Sequence, residues 1–477
     1  MAEIDSEQFD VVVIGGGPGG STVASFVAMQ GRRVLLLEKE KFPRYQIGES
    51  LLPATVLGVC GLLGVTDELA RAGFVQKRGG TLLWGANPEL WAFNFTDALP
   101  NADEETVSYQ VERMKFDNIL LNNARRVGVE VREQCTVNEV IADAERVRGV
   151  RYVDADGQRR QAMATFVVDA SGNRSSTYRT VAESRQYSEF FKNVAIFGYF
   201  ENGKRLPPPN SGNVLTAAFK SGWFWYIPLS DTLTSVGAVV RHDFADRVQG
   251  DRAKALQDLI AESPLISEYL ENATRVTEGT YGDVRVRKDY SYCATKFWRP
   301  GMVLVGDAAC FIDPVLSTGV HLATYSALLA ARSINTVLAG KIDEEAAFAE
   351  FESRYRWEYG SFHEFLVSFY DTHVDESSYF WKAKKVTNYE SSELEAFVRL
   401  VGGVAGERVL SGVTNGVAPS TATAPDWDAE QALRFDPQEA EGWGTTRWVP
   451  GGIGAPPGSD AYRLEPSADA LHWEVRA

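Results

Sequence analysis

The sequence predicts an α/β fold in which a β-α-β unit opens the chain, strands fill its middle and helices follow. Residues 9–14 are a short β-branched apolar run, as expected of a buried parallel strand. A glycine-rich turn, a helical run of small and apolar residues over 21–30 and a second apolar run over 33–38 come next. Gly31 is placed to end the helix. This order completes a β-α-β unit within the first 40 residues.

The middle of the chain is predicted to be rich in strands and its later part in helices. Residues 150–168 indicate two strands joined across Asp156 and Gly157, a dipeptide typical of hairpin turns. The other predicted elements are a strand-rich stretch over about 193–240, a buried strand over 299–305, a long helix over about 319–338 and a helical region over about 344–400. The aromatic residues of that last region are expected in the core or at a substrate opening, and they include Phe362, His363, Phe365, Phe369, Tyr370, Tyr379, Phe380 and Trp381.

The composition changes after about Asn415 to proline, glycine, alanine, threonine and acidic residues. Residues 416–477 contain ten acidic and four basic residues, and none of the basic ones is lysine. Four tryptophans lie in this segment, more than is usual for a purely solvated tail. We therefore predict an irregular acidic tail that docks on the body of the protein.

Charge and residue usage argue against several classes of function. With 48 basic and 64 acidic residues the formal net charge is −16, so a basic face for nucleic acid is not expected. No apolar run approaches the about 18 residues that span a bilayer, and the acidic start does not resemble a secretory signal. The four cysteines and five histidines are dispersed and form no metal-binding or disulfide pattern. These features predict a cytoplasmic protein without a metal centre or a membrane span.

A dinucleotide motif lies between the first predicted strand and helix. Residues 15–20 contain GxGxxG, with glycines at Gly15, Gly17 and Gly20. The first permits a tight turn, the second lets backbone approach a pyrophosphate, and the third allows close helix–strand packing. The helix N-terminus offers N–H groups to the anion, and Glu38, about 20 residues on, suits ribose hydroxyls. A purely structural glycine turn is the alternative, but the complete β-α-β context favours the dinucleotide.

Three further motifs resemble those of the p-hydroxybenzoate-hydroxylase-like flavoproteins. They are YQVER at 109–113 followed by FD at 116–117, VDASG at 168–172, and LVGDAA at 304–309. Each alone would pass for an ordinary strand end, but together they follow the order and spacing of that superfamily. The resemblance implies a p-hydroxybenzoate-hydroxylase-like FAD-binding fold with an interleaved β-rich substrate domain and a helical C-terminal region. In that superfamily the aspartate at the position of Asp307 binds the FAD ribityl chain.

The aromatic stretch at residues 223–228 points to a particular flavin chemistry. Alternate residues of a strand share a face, so Trp223 and Trp225 are expected side by side. An aromatic edge strand stopped by Pro228 is the structural alternative. The stretch matches W-x-W-x-I-P, which resembles the signature of flavin-dependent halogenases. In that family the tryptophans keep the organic substrate from the flavin, so a small oxidant must travel between them.

Lys77 carries the same resemblance, because it falls where the halogenases place their essential lysine. It follows a Gly48-Glu49-Ser50 element that resembles the halogenase flavin loop. A neutral amine can form N–Cl with hypochlorous acid, and an ammonium can polarise it. Burial and the neighbouring Arg78 are expected to lower the pKa of Lys77. The structural alternative is a solvated Lys-Arg pair.

The DPVLSTGV stretch at 313–320, directly before the long predicted helix, resembles the chloride site of the halogenases. A turn at a helix start presents backbone amides to an anion, and the resemblance implies Thr318 and Gly319 as the chloride contacts. A simple helix cap is the alternative, and flavin hydroxylases have a comparable turn. Tryptophan halogenases carry a glutamate immediately before the S-T-G turn, where this chain has Leu316. That difference argues against free tryptophan as substrate.

The resemblance covers about residues 8–400 and is nearest the chondrochloren-type branch, which acts on phenols or on aromatic acyl groups held by a carrier protein. It implies a halogenase of antibiotic or other natural-product biosynthesis that uses monooxygenase-like flavin chemistry. The resemblance also implies a separate flavin reductase that supplies reduced FAD. The reduced FAD would react with O2 to give a hydroperoxide, which would oxidise chloride to hypochlorous acid. Lys77 would then direct the hypochlorous acid at the ring. No second strand–GxGxxG–helix unit is present for NAD(P)H. An NAD(P)H-using aromatic hydroxylase and a non-catalytic flavoprotein binding module stay open as alternatives.

The residues implied in the site fall into three groups. The catalytic group is Lys77, Trp223 and Trp225, the chloride group is Thr318 and Gly319, and the FAD group is Gly15, Gly17, Gly20, Ser21, Glu38, Arg44, Glu49, Ser50, Arg113, Asp307 and Val320. The expected division places flavin segments at about 8–80, 105–180 and 280–340 and a substrate segment at about 190–280 within residues 1–340, a helical region at 341–415 and the irregular tail at 416–477.

Overall fold

Two large β-sheets form the frame of the protein, and helices pack against both. The computed structural model describes residues 6–84, 89–97, 108–371, 393–404 and 464–476. Predicted features outside these residues are Tyr379, Phe380, Trp381 and residues 416–463 of the tail. In the part of the chain that the structure describes, no helix is both long and apolar enough to cross a membrane.

The elements follow the predicted order. The strands are β1 (Ser6–Ile14), β2 (Val34–Leu37), β3 (Val75–Lys77), β4 (Gly79–Leu83), β5 (Trp91–Asn94), β6 (Ser108–Gln110), β7 (Glu130–Arg132), β8 (Thr136–Ala142), β9 (Val147–Val153), β10 (Arg159–Asp169), β11 (Arg185–Glu201), β12 (Val214–Phe219), β13 (Gly222–Pro228), β14 (Leu233–Val240), β15 (Thr274–Arg275), β16 (Arg285–Ala294), β17 (Trp298–Arg299), β18 (Met302–Leu304), β19 (Cys310–Phe311), β20 (Leu464–Pro466) and β21 (Trp473–Val475). The helices are α1 (Pro18–Ala28), α2 (Cys60–Leu62), α3 (Thr66–Arg71), α4 (Arg113–Arg126), α5 (Arg252–Ala261), α6 (Pro264–Tyr269), α7 (Thr318–Leu338), α8 (Glu344–Asp371) and α9 (Glu393–Val401).

The first sheet carries the β-α-β unit at its centre. Its strand order is β17-β18-β10-β1-β2-β7, and the hairpin of β8 and β9 is attached to β10. Strand β1 pairs in parallel with β2 and β10, and its apolar residues 11–14 are buried. The Asp156-Gly157 turn joins β9 to β10 as predicted. The strand expected over 299–305 is split, because Gly301, with φ +80°, turns the chain between β17 and β18.

The second sheet has the order β19-β16-β11-β14-β13-β12-β4-β5, with β15 beside β11. Strand β13, which carries the W-x-W stretch, lies in the interior between β12 and β14. The alternative of an aromatic edge strand is therefore wrong. Pro228 is the last residue of β13, where a missing N–H disturbs the pairing least. Strand β4 pairs in parallel with β12, so the chain just after Lys77 joins this sheet directly.

Strand β13 separates two apolar cores. Trp223 and Trp225 belong to the main core, which contains residues of both large sheets and of the helices α1, α7 and α8. Phe224 and Tyr226 belong to a smaller core beneath α5 and α6. Successive residues of a strand point to opposite faces, so the expected side-by-side placement of the tryptophans is confirmed.

The end of the chain docks on the helices through a small hairpin. Strands β20 and β21 pair with each other, and the side chain of Trp473 is fully buried against α7 and α8. The composition predicted an irregular tail, and these last described residues form a regular hairpin instead. Each of these strands has only three residues, which is too few to show the alternation of apolar and polar residues that predicts a strand. The sequence pattern therefore did not indicate the hairpin.

Candidate active site

A cavity of about 590 Å³ lies between the two sheets. One wall is made by residues that follow the parallel strands of the first sheet, such as Gly15, Ala170 and Gly306. The opposite wall comes from the second sheet and includes Phe197 and Thr216. Ligands of α/β folds bind at the carboxyl ends of the strands, so the position of this cavity agrees with the predicted dinucleotide site.

The glycine-rich turn is shaped by close backbone contacts. Gly15 has φ +101°, and a Cβ there would lie 2.5 Å from the carbonyl oxygen of Ala170. A Cβ on Gly20 would lie 1.8 Å from the carbonyl oxygen of Gly15. Gly17 faces the cavity at the start of α1, where unpaired N–H groups favour an anion. Gly20 and Ser21 lie behind the wall, and the Ser21 hydroxyl braces the turn by donating to the carbonyl oxygen of Gly16 at 2.9 Å.

Glu38 links the turn to the second strand. Its Oε2 accepts the N–H of Gly16 at 2.6 Å, and its Oε1 accepts the N–H of Glu40 at 2.8 Å. The side chain is buried but lines the cavity. A carboxylate has about four acceptor positions, so Glu38 keeps capacity for the hydroxyls of a ribose.

Two guanidinium groups at the cavity share one buried carboxylate. Asp117 accepts from Arg113 Nε at 2.7 Å and from Arg44 Nη1 at 2.9 Å. Arg113 also donates to the carbonyl oxygen of Ile47 at 2.7 Å, which ties α4 to the loop before Glu49. Arginine forks suit phosphate oxygens; Arg44 stands beside Gly17 and Arg113 beside Gly48.

Asp307 also lines the cavity, in the turn after β18. Burial raises the pKa of its carboxyl to about 6, while the guanidinium groups of Arg113 and Arg185 act in the opposite direction. The glycine cradle, the acidic ribose position, the paired arginines and Asp307 together supply the groups that FAD requires along its length. The residues present therefore fit FAD.

Glu49 is buried on the cavity wall and is connected to a pair of tyrosines. Its Oε1 accepts from the Tyr199 hydroxyl at 2.7 Å, which lies 2.8 Å from the Tyr45 hydroxyl. Burial raises the pKa of Glu49 to about 7, against the lowering by hydrogen bonds from Tyr199 and Ser235. Ser50, the next residue, also lines the cavity. A carboxyl that titrates near neutral pH can hold or release a proton there.

The two tryptophans of β13 line the cavity side by side, with ring centroids 6.2 Å apart. The indole N–H of Trp225 donates to the Ser235 hydroxyl at 3.1 Å, and that of Trp223 donates to the Tyr370 hydroxyl at 2.6 Å. Gly237 on the adjacent strand makes room for Trp225, because a Cβ there would lie 2.3 Å from Trp225 Cζ2.

Lys77 is buried, with 3% of its surface exposed, so the alternative of a solvated Lys-Arg pair is wrong for this residue. Its Nζ donates to the carbonyl oxygen of Leu51 at 3.0 Å and lies 5.3 Å from the ring centroid of Phe95. Burial alone lowers the pKa of Lys77 to about 7, and Arg78 is not among the causes. The structure does not bring Lys77 to the cavity wall. Its partner Leu51 directly follows Ser50, which lines the cavity.

The turn before α7 faces the same cavity. Ser317 has φ +60°, and Ser317, Gly319 and Val320 line the cavity, whereas Thr318 is buried and does not. Asp313 caps the short helical turn ahead of it by accepting the N–H of Val315 at 3.0 Å. Burial raises the pKa of Asp313 to about 6, while its hydrogen bonds from Val315, Tyr370 and Asn193 lower it.

Several site residues have no motif that marks them. Tyr199, Tyr45 and Ser235 surround Glu49 and Trp225, yet each is an ordinary strand or loop residue in the sequence. Asp117 lies in the FD motif at 116–117 and Asp313 in the DPVLSTGV stretch, so both could be noticed in the sequence. The side chains that they contact could not. In the described residues, no group of three or more histidine, cysteine or acidic side chains is arranged to hold a metal.

Comparison with known proteins agrees with this geometry. The family model for tryptophan halogenases matches residues 10–107 and 97–422. A tryptophan 2-halogenase of Chondromyces crocatus is 34% identical over 385 residues, which cover 80% of this chain and 71% of that protein. The solved structure of the myxobacterial chondrochloren halogenase CndH, a variant of FAD-dependent halogenases, is 54% identical, covers 98% of this chain and 100% of its own, and has a TM-score of 0.78. The structure of the flavin-dependent halogenase CmlS is 33% identical over 79% of this chain and 67% of its own, with a TM-score of 0.70.

These matches confirm the predicted fold and the resemblance to the chondrochloren-type enzymes. They span the glycine turn, the W-x-W strand and the turn before α7 together. The chain therefore belongs to the tryptophan halogenase family and is a flavin-dependent halogenating enzyme.

Proposed function

We propose that the enzyme chlorinates an electron-rich aromatic ring, either a phenol or a tyrosine-like acyl group presented by a carrier protein. One observation carries the proposal: a buried lysine with a pKa near 7 donates to Leu51, the residue next to the cavity-lining Ser50. Bound FAD, reduced by the separate flavin reductase that such enzymes generally need, would supply the activation of O2 that oxidises the halide. The pathway served would be natural-product biosynthesis.

Each residue group has a role in this proposal. The backbone amides around Gly319 and the adjacent Thr318 hold chloride beside the flavin. Trp223 and Trp225 occupy the wall between the cavity and the substrate, so hypochlorous acid passes and the ring does not. Lys77 then receives the oxidant. With a pKa near 7 both its amine and its ammonium are populated at neutral pH, so it can bind or polarise the oxidant.

The choice of substrate class has two kinds of support. CndH, at 54% identity, is a chondrochloren halogenase, whereas the relative from Chondromyces crocatus at 34% identity is a tryptophan 2-halogenase. Leu316 stands where tryptophan halogenases carry a glutamate. A phenol is activated by its own oxygen and needs no such carboxylate, so the phenolic class is favoured.

The test is a reconstitution with FAD, NADH, a generic flavin reductase, chloride and O2. The substrates compared are a free phenol, a tyrosine-like acyl group on a carrier protein, and free tryptophan, with products identified by mass spectrometry. Chlorination of tryptophan alone would overturn the phenolic assignment.

The lysine is tested by Lys77→Ala. We expect this variant to lose chlorination while O2 still reoxidises the flavin at the wild-type rate. The matched control is Lys254→Ala, which removes an exposed lysine of α5 and should leave both rates unchanged. Wild-type chlorination by Lys77→Ala would contradict the role of the lysine. Turnover with NADPH alone and without chloride would instead indicate the hydroxylase, and FAD binding without any product would indicate a non-catalytic flavoprotein.

A further inference from the structure

A chain of hydrogen bonds connects the tryptophan strand to the turn before α7. The Trp223 indole N–H donates to the Tyr370 hydroxyl at 2.6 Å. That hydroxyl donates in turn to the Asp313 carboxylate, with 3.0 and 3.1 Å to its two oxygens. Asp313 caps Val315 at the start of the turn that leads to Gly319. Three elements far apart in sequence therefore meet at one hydroxyl group.

The direction of these bonds determines what the tryptophans show to the cavity. The N–H of Trp223 is bound by Tyr370 and that of Trp225 by Ser235. Both tryptophans line the cavity, but neither hydroxyl partner belongs to its lining. The indole donors are thus turned away from the cavity, and the tryptophan wall presents carbon and ring faces only. Such a wall has no strong donor to retain hypochlorous acid.

Tyr370 is itself held firmly at the end of α8. Its ring packs edge-on against Trp84 at 5.6 Å and against Phe191 at 5.4 Å between centroids. Trp84 in turn lies 6.5 Å from Trp223. Aromatic pairs of this kind restrict ring orientation, so the hydroxyl of Tyr370 is fixed in the position that receives the indole N–H.

We propose that Tyr370 is a positioning residue of the halogenation reaction, which orients Trp223 and ties it to the halide turn through Asp313. In this role it touches neither substrate nor cofactor. Its hydroxyl keeps the indole N–H out of the oxidant's path and keeps the tryptophan wall closed. The inference rests on the proposed function, because the oxidant and the halide turn belong to it.

The test uses Tyr370→Phe, which keeps the ring and removes both hydrogen bonds. We expect flavin reoxidation to be unchanged, while the fraction of reoxidation events that yield chlorinated substrate falls on the order of five-fold, the size expected for losing the one hydrogen bond that orients Trp223. The oxidant that escapes should appear as chlorination of a soluble scavenger such as monochlorodimedone. The matched control is Tyr226→Phe on β13, the strand of Trp223. The Tyr226 hydroxyl donates to the carbonyl oxygen of Lys204 in the smaller core, so this variant should leave the yield unchanged.

A double-mutant cycle with Trp223→Phe separates positioning from general damage. If Tyr370 acts through Trp223, adding Tyr370→Phe to Trp223→Phe lowers the yield no further. The near-ultraviolet circular dichroism of the flavin-free protein gives an independent readout: the difference between wild type and Tyr370→Phe should be largely lost in the Trp223→Phe background. Additive losses, or a spectral difference that persists there, would overturn the proposal. If the wild type itself forms no halogenated product, the proposed function fails instead, and the spectral cycle still tests the hydrogen bond.

Discussion

Two ionisable residues of this site, Lys77 and Glu49, are buried where the protein disfavours their charged forms. Burial lowers the pKa of Lys77 to about 7 and raises that of Glu49 to about 7. Each tenfold change in an acid dissociation constant corresponds to about 1.4 kcal/mol between the two protonation states. The charged form of each group therefore destabilises the folded protein, which is typical of residues kept for chemistry.

Lys77→Met should accordingly stabilise the protein at neutral pH while it removes chlorination. The pKa of the ammonium is about 7 in the folded protein against an ordinary value of 10.5, so its cost is complete below about pH 7 and disappears as the pH rises towards 10.5. We expect a gain of about 1–3 kcal/mol in the free energy of unfolding at pH 7. Denaturant unfolding at pH 7 and 9.5 should show the gain shrinking at the higher pH. A variant less stable than wild type at pH 7 would contradict this.

Glu49→Gln should change the pH dependence of stability on the acidic side of neutrality, between about pH 4.5 and pH 7. The carboxyl has a pKa of about 7 in the folded protein and an ordinary value of 4.5, so its cost appears as the pH rises from 4.5 and is complete above 7. Wild-type flavin-free protein should lose stability over that range, and the variant should lose less. Thermal unfolding at pH 5 and pH 8 measures this. Equal slopes for the two proteins would show that the carboxyl is charged at both pH values.

At this scale the sequence predicted which residues line the cavity better than it predicted what they contact. Gly15 and Gly17 act through their own backbone, so a local motif was sufficient. Glu49 and Trp223 depend on Tyr199 and Tyr370, which lie 150 and 147 positions away. Those partners are set by how the sheets and helices pack, and no local pattern records that.

Among the elements, β14 decides where the tryptophans of β13 can lie. Gly237 of β14 is opposite Trp225 in the register, and the indole occupies the space that a side chain would fill. Alternation predicted the shared face of the tryptophans. The glycine that makes room for Trp225 was not predicted, since a lone glycine in a strand has several explanations.

Gly237→Ala should therefore displace Trp225 and lower the yield of chlorinated product per flavin reoxidised. A Cβ there would be 2.3 Å from Trp225 Cζ2 and 2.5 Å from the Cβ of Phe197, so something must move. The matched control is Gly198→Ala on β11, whose Cβ would contact Leu256 at 3.3 Å on the far face of the sheet. We expect FAD affinity to be retained in both, as measured by flavin fluorescence. An unchanged yield in Gly237→Ala would show that Trp225 need not be held there.

For the whole molecule, the terminal hairpin joins the end of the chain to α7 and α8. Trp473 lies between the guanidinium groups of Arg332 and Arg354, at 5.2 and 4.9 Å from its ring, and its indole N–H donates to the Ser333 hydroxyl at 2.9 Å. The composition indicated a docked segment because tryptophans persisted in it. It did not indicate the docking position, because the partners lie on helices more than 100 positions earlier.

Trp473→Ala should lower the free energy of unfolding by about 3–5 kcal/mol, the usual cost of deleting a fully buried large aromatic side chain. The control Val475→Ala lies in the same hairpin but is 69% exposed, so it should have little effect. Thermal and denaturant unfolding of the holoenzyme measure both. A loss below about 1 kcal/mol would mean that the hairpin docks too weakly to hold the chain end.

The parallel pairing of β4 with β12 has a consequence for how this enzyme can diversify. A single residue, Arg78, separates Lys77 from β4, and one strand, β12, lies between β4 and the tryptophan strand β13. The tryptophans lie in the nine-stranded sheet and Lys77 lies in the two-stranded sheet of β3 and β6 that leads into it, whereas Phe369 and Tyr370 approach from a separate helix. We expect new ring shapes to be accommodated by replacing residues near the end of α8 other than Tyr370, with the lysine-to-tryptophan spacing inherited unchanged. Directed evolution for new substrates should therefore begin on that helix.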